Sequence, residues 1–163
     1  MARITPDNLN PQLSFRFKII FSELGDIGIY GKAVQLPTID NGSITVDYGN
    51  TQMKVKGKTK WNDIDVTCYA FENITIDQLW NYFNKLHQNV PLGLDFFPDD
   101  YKKDIQIQLL RPDDFISGTW KLVGAFVNVL NFGEMDYSAE EIVMPRITIS
   151  YDYALFIPAP NVD

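Results

Sequence analysis

Apolar and polar residues alternate along most of this chain, which is the pattern of β-strands with one buried face. The clearest run is Leu13–Phe21, where Leu, Phe or Ile occupies every second position and Ser14, Arg16 and Lys18 lie between them. Many such strands with little helix predict a mainly β fold, either a sandwich or a barrel. The same alternation predicts further strands over residues 29–36, 42–48, 51–58, 61–71, 101–110, 118–130 and 142–156.

One α-helix is predicted between the strands. Thr75 is a suitable N-cap residue, and Gln78 three positions later completes a capping box. Asn89 and Pro91 end the helical pattern. The helix would lay an apolar stripe on a sheet, formed by Ile76, Leu79, Trp80, Phe83 and Leu86.

A projecting hairpin is predicted over residues 42–58. Gly49 and Asn50 separate two alternating segments, and glycine supplies the positive φ that a tight hairpin turn requires. The ribbon would have one apolar face and one polar face, and a two-stranded ribbon alone is marginally stable in water. It must therefore pack on its own chain or on a neighbour.

The hairpin also carries the most basic feature of the chain. If its second strand is continuous, Lys54, Lys56, Lys58 and Lys60 project from one face. Three interpretations fit: a nucleic-acid-binding stripe, an edge guarded against stray strand pairing, or complementarity to an acidic part of another copy. The pattern alone leaves all three open.

Composition predicts one acidic globular domain over residues 1–163, with extended arms at 1–12 and 156–163. The chain has 45% hydrophobic residues, a formal net charge of −7 and a pI near 4.6. These values are ordinary for a folded domain and argue against a general nucleic-acid-binding surface.

Candidate catalytic and metal-binding groups are few. His87 is the one histidine, and Cys68 is the one cysteine, inside a strand-like run where we expect it to be buried. The sequence has no CxxC, HExxH, calcium-loop or phosphate-loop motif. We therefore predict no enzyme, no catalytic residues, no cofactor and no metal site. Adjacent carboxylates, two pairs of which follow Pro as in turns, are Asp99-Asp100, Asp113-Asp114 and Glu140-Glu141.

No targeting segment is predicted. Residues 1–11 are polar and lack the apolar core of a signal peptide. No apolar run approaches the length that a membrane-spanning helix needs. We expect the protein to be made and kept in a cytosol.

The order of these features resembles the tail tube protein family of contractile-tailed, T-even-like bacteriophages. In the family pattern, Val123-Gly124 would open a strand pair that ends at Asp152-Tyr153. A glycine, an aromatic, an acidic residue and a Val/Thr strand of the family correspond to Gly57, Trp61, Asp63, Val66 and Thr67. The matching stretches within residues 13–155 are FRFKIIF, GKAVQLP, VKGKTKWNDIDVTCY, the helix and KLVGAFVNVLNFGEMDYSAEEIVMPRITISYDY.

This resemblance implies a structural virion protein, assembled in the host cytoplasm and located in the phage tail. Subunits would form hexameric rings whose strands join in a multi-subunit β-barrel, and rings would stack into the tube through which DNA is ejected. The implied partners are other copies, the tail sheath protein, the baseplate tube-initiator and the tail terminator. DNA would pass through the lumen without specific binding, and no membrane insertion is implied.

The resemblance also assigns two sets of residues. Alternation on the polar strand faces would place six side chains toward the lumen: Asp63, Asp65, Thr67, Thr148, Ser150 and Asp152. The inter-ring contact of the hairpin would use Val46, Tyr48, Met53, Lys54, Val55, Lys56, Lys58 and Lys60.

Two alternatives remain open at this point. One is the tube protein of a related contractile injection or secretion system, with protein rather than DNA as cargo. The other is a small carbohydrate-binding β-sandwich that would stack sugars on Trp61, Trp80 or Trp120.

Overall fold

The computed structural model describes residues 17–21, 31–70, 75–86, 88–89, 92–138 and 140–159. The arm predicted over residues 1–12, the strand residues 13–16, His87 and residues 160–163 lie outside these ranges. The described elements are, in order, β1 (Phe17–Phe21), β2 (Gly31–Val34), β3 (Ile39–Asp40), β4 (Ser43–Tyr48), β5 (Thr51–Lys56), β6 (Lys60–Trp61), β7 (Ile64–Cys68), α1 (Thr75–Leu86), β8 (Gln88–Asn89), β9 (Leu94–Asp95), α2 (Pro98–Tyr101), β10 (Lys103–Leu110), β11 (Ile116–Asn131), β12 (Arg146–Ser150) and β13 (Tyr153–Pro158).

Antiparallel pairing organises the main strands into one seven-stranded sheet, so the predicted mainly β fold is confirmed. Its order is β1-β10-β11-β12-β7-β2. The long strand β11 joins two halves, because its first part pairs with β10 and β13 and its second part pairs with β12. The pairs β3–β6, β4–β5 and β8–β9 stand apart from this sheet.

The core lies on the inner face of this sheet. The alternation predicted for the first strand holds in its described part, since Ile19 and Phe21 are buried. Helix α1 adds Leu79 and Tyr82, and the Tyr82 ring meets Phe21 edge-on at 5.5 Å between centroids. Other buried core residues are Ile64, Val66, Cys68, Ile105, Ile107, Leu122, Ala125, Val127, Ile147 and Ile149.

The buried face of α1 differs from the predicted stripe. Ile76 and Trp80 are exposed, although both were predicted to face the sheet, and Tyr82 is buried instead. Trp80 lies against Phe132, with ring centroids 6.3 Å apart. The helix therefore packs through a face rotated from the one that apolar spacing indicates, because a tyrosine can bury its ring as well as an aliphatic side chain can.

The prediction of one continuous strand over 142–156 is wrong. This segment contains two strands, β12 and β13, which are separated by Tyr151 and Asp152. The alternation of buried and exposed residues shifts at this break, so that Ala154 is buried and Tyr153 is exposed. The break lies opposite Gly124 of β11, which has φ +64° between the parts that pair with β13 and with β12. Gly124 is thus inside a strand and does not open a strand pair.

The first three residues of the C-terminal arm predicted over 156–163 are part of a strand instead, and the prediction is wrong for them. Phe156–Pro158 belongs to β13 and continues its antiparallel register against Gly118, Thr119 and Trp120 of β11. The backbone hydrogen bonds available along β11 extend the strand, and the proline comes at its last residue, where no further pairing is required.

Two further boundaries differ from the sequence predictions. The strand predicted over 61–71 is split, because Asn62 and Asp63 separate β6 from β7. The Pro-Asp-Asp sequence at residue 98 forms the short second helix α2 rather than a simple turn. At the second such sequence the predicted turn is confirmed, since Asp113 Oδ1 accepts a hydrogen bond from the Phe115 N–H at 3.3 Å. Neither helix in the described residues is long and apolar enough to cross a membrane.

Candidate assembly surfaces

Strands β4 and β5 form the predicted hairpin, with its turn at Gly49-Asn50. Gly49 has φ +60°, and a glycine in this conformation at the first turn position suits a tight two-residue connection. The register pairs Ile44 with Val55 and Val46 with Met53. Directly opposed residues share a face of the ribbon, so the predicted separation into an apolar and a polar face is confirmed.

The apolar face of the hairpin lies open to solvent. The exposed fraction of its side chains runs from 38% at Val55 to 79% at Tyr48. Contiguous exposed apolar side chains are typical of interaction sites. Of the two destinations that the sequence allowed, the hairpin does not pack on its own core. It presents this face outward instead.

Hydrogen bonds at its base fix the direction in which the hairpin leaves the sheet. Strands β3 and β6 pair beneath it, and the Asn62 N–H donates to the Thr38 carbonyl at 3.1 Å. The Thr59 hydroxyl donates to Asn41 Oδ1 at 2.8 Å. At Gly57 a Cβ would come 3.1 Å from the Asn41 carbonyl oxygen. Glycine therefore permits the backbone segments at Gly57 and Asn41 to approach this closely.

The four lysines do not lie on one continuous strand, so the condition for a single lysine face is not met. Strand β5 ends at Lys56, and only Lys54 and Lys56 lie on the polar face of the ribbon. Lys58 lies in the connection, and Lys60 is in β6 opposite Asp40. The chain turns at Gly57 because it must leave the ribbon to pair with β3. All four lysines nevertheless cluster on the hairpin and its base.

The outward face of β7 and β12 brings together five of the six predicted lumen residues. The Thr148 hydroxyl donates to Asp65 Oδ1 at 2.8 Å, and the Ser150 hydroxyl donates to Asp63 Oδ1 at 3.0 Å. Ile64, Val66, Ile147 and Ile149 alternate with them and are buried. We call this surface the polar face; its members are Asp63, Asp65, Thr67, Arg146, Thr148 and Ser150.

Arg146 is the member of the polar face that the sequence prediction missed. It is exposed and lies directly opposite Thr67 in the ladder. Its position two residues before Thr148 was a sufficient signal, because alternate residues of a strand share a face. The face is therefore mixed in charge, with two carboxylates near the hairpin and one guanidinium at the other end.

Asp152, the sixth predicted lumen residue, lies at the break between β12 and β13. Its Oδ1 is 2.9 Å from the Lys102 ammonium nitrogen, an exposed ion pair. Its carboxylate also covers Gly124, where a Cβ would overlap with Asp152 Oδ2. Asp152 thus makes contacts different from those of the other five residues.

The loop between β11 and β12 was not singled out by sequence reasoning. We call residues 132–145 the acidic loop, since they include Glu134, Asp136, Glu140 and Glu141 and no Lys, Arg or His. Met135 and Tyr137 are among its most exposed side chains, at 87% and 112%. A cleft of 490 Å³ lies between its two arms and is lined by Glu134, Asp136, Glu141, Ile142 and Arg146, among others.

Hydrogen bonds order part of the acidic loop. Asp136 Oδ1 accepts from the Ser138 N–H at 2.9 Å and from the Ser138 hydroxyl at 2.7 Å. These two bonds, the backbone one first, lower the pKa of Asp136, so its negative charge is held at neutral pH. The other arm is tied to the sheet, because Cys68 N–H donates to the Pro145 carbonyl and Ala70 N–H to that of Val143, both at 2.9 Å.

The groups first considered for chemistry take structural positions. Burial raises the pKa of the Cys68 thiol to about 12, so it is protonated at neutral pH. Within the described ranges, no three His, Cys, Asp or Glu side chains are grouped as a metal ion would require. The tryptophans considered for sugar stacking each contact an aromatic of their own chain: Trp61 with Tyr151, Trp80 with Phe132 and Trp120 with Phe156.

Comparison with known proteins shows a family-level match. The model of the T4-like virus tail tube protein gp19 family matches residues 13–154. A tail tube protein of Serratia phage KSP90 is 26% identical over 121 residues, which cover 70% of this chain and 65% of that protein. The match therefore spans slightly less than two thirds of the phage relative.

Solved structures share the fold. A chain from the PVC sheath–tube complex of an extracellular contractile injection system has a TM-score of 0.72 and 22% identity, covering 91% of this chain and 93% of its own. A chain of the anti-feeding prophage tube-terminating cap also has a TM-score of 0.72, at 21% identity, with 97% and 100% covered. Hcp1 from Flavobacterium johnsoniae has a TM-score of 0.53 at 12% identity, with 87% and 94% covered.

Proposed function

Since the chain belongs to the T4-like virus tail tube protein gp19 family, we propose that it is the structural subunit of a phage tail tube. The family match confirms the resemblance seen in the sequence. In our proposal, six subunits form a ring, rings stack, and the central channel conducts DNA into the host. The observation that carries this proposal is the hairpin, whose exposed apolar face needs a neighbouring subunit to cover it.

Unpaired sheet edges support ring formation. Among the described residues, β2 pairs only with β7 and β13 pairs only with β11, so each has one edge without a partner strand. Such edges are normally covered or paired in native proteins. Strand pairing between neighbouring subunits would satisfy these edges and would close the strands into a multi-subunit barrel.

The polar face supports a water-filled channel. Its side chains lie opposite the buried isoleucines, on a surface that is partly or fully exposed in the isolated chain. In the ring we place this surface toward the lumen. Asp63 and Asp65 would repel the DNA phosphates, and Arg146 would offset only part of that charge. Repulsion keeps DNA from adhering to the wall while it passes.

The partners we propose are taken by analogy from solved structures of similar fold. These structures are a sheath–tube complex, a sheath/tube terminator, a baseplate and a tube cap. By analogy this subunit would contact a tail sheath protein outside, a baseplate initiator at one end and a terminator at the other. It would assemble in the host cytoplasm and remain in the virion tail, with a structural and not an enzymatic role.

A tube of a contractile injection system is the second candidate, because two chains from an extracellular contractile injection system share this fold at a TM-score of 0.72. The match to the phage family favours the phage tail. Cargo separates the two: tubes isolated with their complete particle would contain DNA in the first case and protein in the second.

Negative-stain electron microscopy of the purified protein, at low and high concentration and on purified baseplates, tests the proposal. We expect rings with a central hole, or stacked tubes of one diameter. Monomers that fail to assemble even on baseplates would contradict it.

A further inference from the structure

The hairpin and the acidic loop lie at opposite ends of the same strand. Strand β7 begins at Ile64, close to the base of the hairpin, and ends at Cys68, which is hydrogen-bonded to Pro145 of the acidic loop. Strand β12 runs the other way, from Arg146 beside the loop to Ser150 near the hairpin end. The two surfaces therefore face opposite ends of the subunit.

Their charges are complementary. Residues 43–60 contain four lysines and one acidic residue, Asp47, although the whole chain has a net charge of −7. Residues 132–145 contain four carboxylates and no basic residue. Arg146 borders the cleft but is outnumbered by the carboxylates that line it. A lysine-rich end and a carboxylate-rich end of one molecule attract each other between copies.

Both surfaces also combine charge with exposed apolar side chains. The hairpin presents Val46 and Met53 on its apolar face and Lys54 and Lys56 on the opposite, polar face. The acidic loop presents Met135, Tyr137 and Ile142 beside its carboxylates. Apolar contact supplies affinity, and the charges set register and orientation.

We propose that the hairpin of one subunit docks on the acidic loop of a second copy, with its lysines against Glu134, Glu140 and Glu141. Because two different surfaces at opposite ends are joined, the contact repeats without closing and generates an open stack. This inference rests on the proposed function and identifies the surface that receives the hairpin in the next ring.

Paired charge reversal tests the contact. The hairpin variant is Lys54→Glu with Lys56→Glu, and the loop variant is Glu134→Lys with Glu141→Lys. Each pair alone should lower the amount of stacked tube by about tenfold or more, because like charges then face each other. The chain that carries all four substitutions should regain tubes. Circular dichroism and melting temperatures check that each variant is folded.

A matched control uses charges on other surfaces. Lys85→Glu in α1 and Asp99→Lys in α2 change the same charges at exposed positions. Lys85→Glu should not restore tubes to the loop variant, and Asp99→Lys should not restore them to the hairpin variant. If Asp99→Lys rescues the hairpin variant as well as the loop variant does, or if the four-substitution chain stays unstacked, the proposed contact is wrong.

A carbodiimide cross-link gives a test without substitutions. This reagent joins a lysine to a carboxylate in direct contact, and a mixture of isotopically light and heavy chains reports links between copies. We expect interchain links from the hairpin lysines to the acidic loop in tubes. Links from these lysines only to other segments would overturn the inference while leaving the tube itself standing. A wild-type chain that forms neither rings nor tubes, even on purified baseplates, would instead contradict the proposed function.

Discussion

The Thr148 hydroxyl donates a hydrogen bond to the Asp65 carboxylate across the β7–β12 ladder, with the two oxygens 2.8 Å apart. Ser150 and Asp63 repeat the arrangement at 3.0 Å, nearer the hairpin. Each carboxylate is thus held by a hydroxyl on the neighbouring strand, on the face opposite the core. Ordered carboxylates on an exposed sheet face form a surface of defined negative charge.

Reversing these two charges should impair DNA passage but not assembly. Asp63→Lys with Asp65→Lys removes two exposed hydrogen bonds, each contributing about 0.5–1.5 kcal/mol at most, so the fold and the tubes should persist. DNA ejection from particles carrying the variant, followed with a DNA-binding dye, should be slower because the lumen would attract phosphate. The control Asp95→Lys with Asp99→Lys should eject normally. Equal ejection rates in both variants would show that the polar face does not line the channel.

The two faces of the hairpin should differ in their tolerance of charge. Met53 lies on the apolar face, and the adjacent Gln52 lies on the opposite one. Met53→Asp should abolish tubes, because docking would bury an unpaired carboxylate at a cost of several kcal/mol, whereas Gln52→Lys, whose charge matches the lysines on its own face, should retain them. Both side chains are exposed in the subunit, so unfolding free energies should stay within about 0.5 kcal/mol of the parent. Sedimentation and negative staining measure assembly; equal loss in both variants would contradict the prediction.

Two glycines with the same backbone conformation should respond differently to alanine. Gly49 and Gly124 have φ +60° and +64°, and a Cβ at Gly49 meets open space whereas one at Gly124 overlaps with the Asp152 carboxylate. Gly49→Ala should cost about 1–2 kcal/mol for the left-handed backbone alone. Gly124→Ala should lower the unfolding free energy by more, and adding Asp152→Ala to Gly124→Ala should recover part of the difference. Chemical denaturation measures the parent, the two single glycine variants and this double variant. Equal costs at the two glycines would refute the close contact.

Burial of Cys68 predicts a specific pH dependence of stability. The pKa of its thiol is about 12 in the folded chain against an ordinary value of 9.0. Only the unfolded chain ionises between these values, so the contribution of this group is fully present below pH 9 and is lost above it, by about 1.4 kcal/mol per pH unit. The unfolding free energy of the parent should therefore fall relative to that of Cys68→Ala from pH 8 to pH 10.5. Parallel curves would show that the thiol is solvated.

Local pattern was enough to predict the hairpin and the alternation of β7 and β12. The register of the hairpin follows from its period of two and from the turn at Gly49, both of which are local. For the same reason, Thr148 and Asp65 could each be placed on the polar face of its strand. Their direct contact could not be predicted, because it depends on the pairing of β7 with β12.

Longer-range features could not be predicted in this way. The break after Ser150 lies opposite Gly124 on the partner strand, and the burial of Tyr82 depends on how α1 lies against Phe21. The position of the acidic loop opposite the hairpin depends on the order of strands in the sheet. Each of these features depends on contacts between residues far apart in sequence. The periodicity of apolar residues describes only local segments and does not predict such contacts.

A cryo-electron microscopy reconstruction of the assembled protein tests the central claim most directly. It would report the number of subunits per ring and which face of β7 and β12 surrounds the channel. We expect six subunits, with Asp63, Asp65 and Ser150 facing the lumen and the hairpin reaching the next ring. A closed dimer, or a ring with the polar face on the outside, would contradict the account.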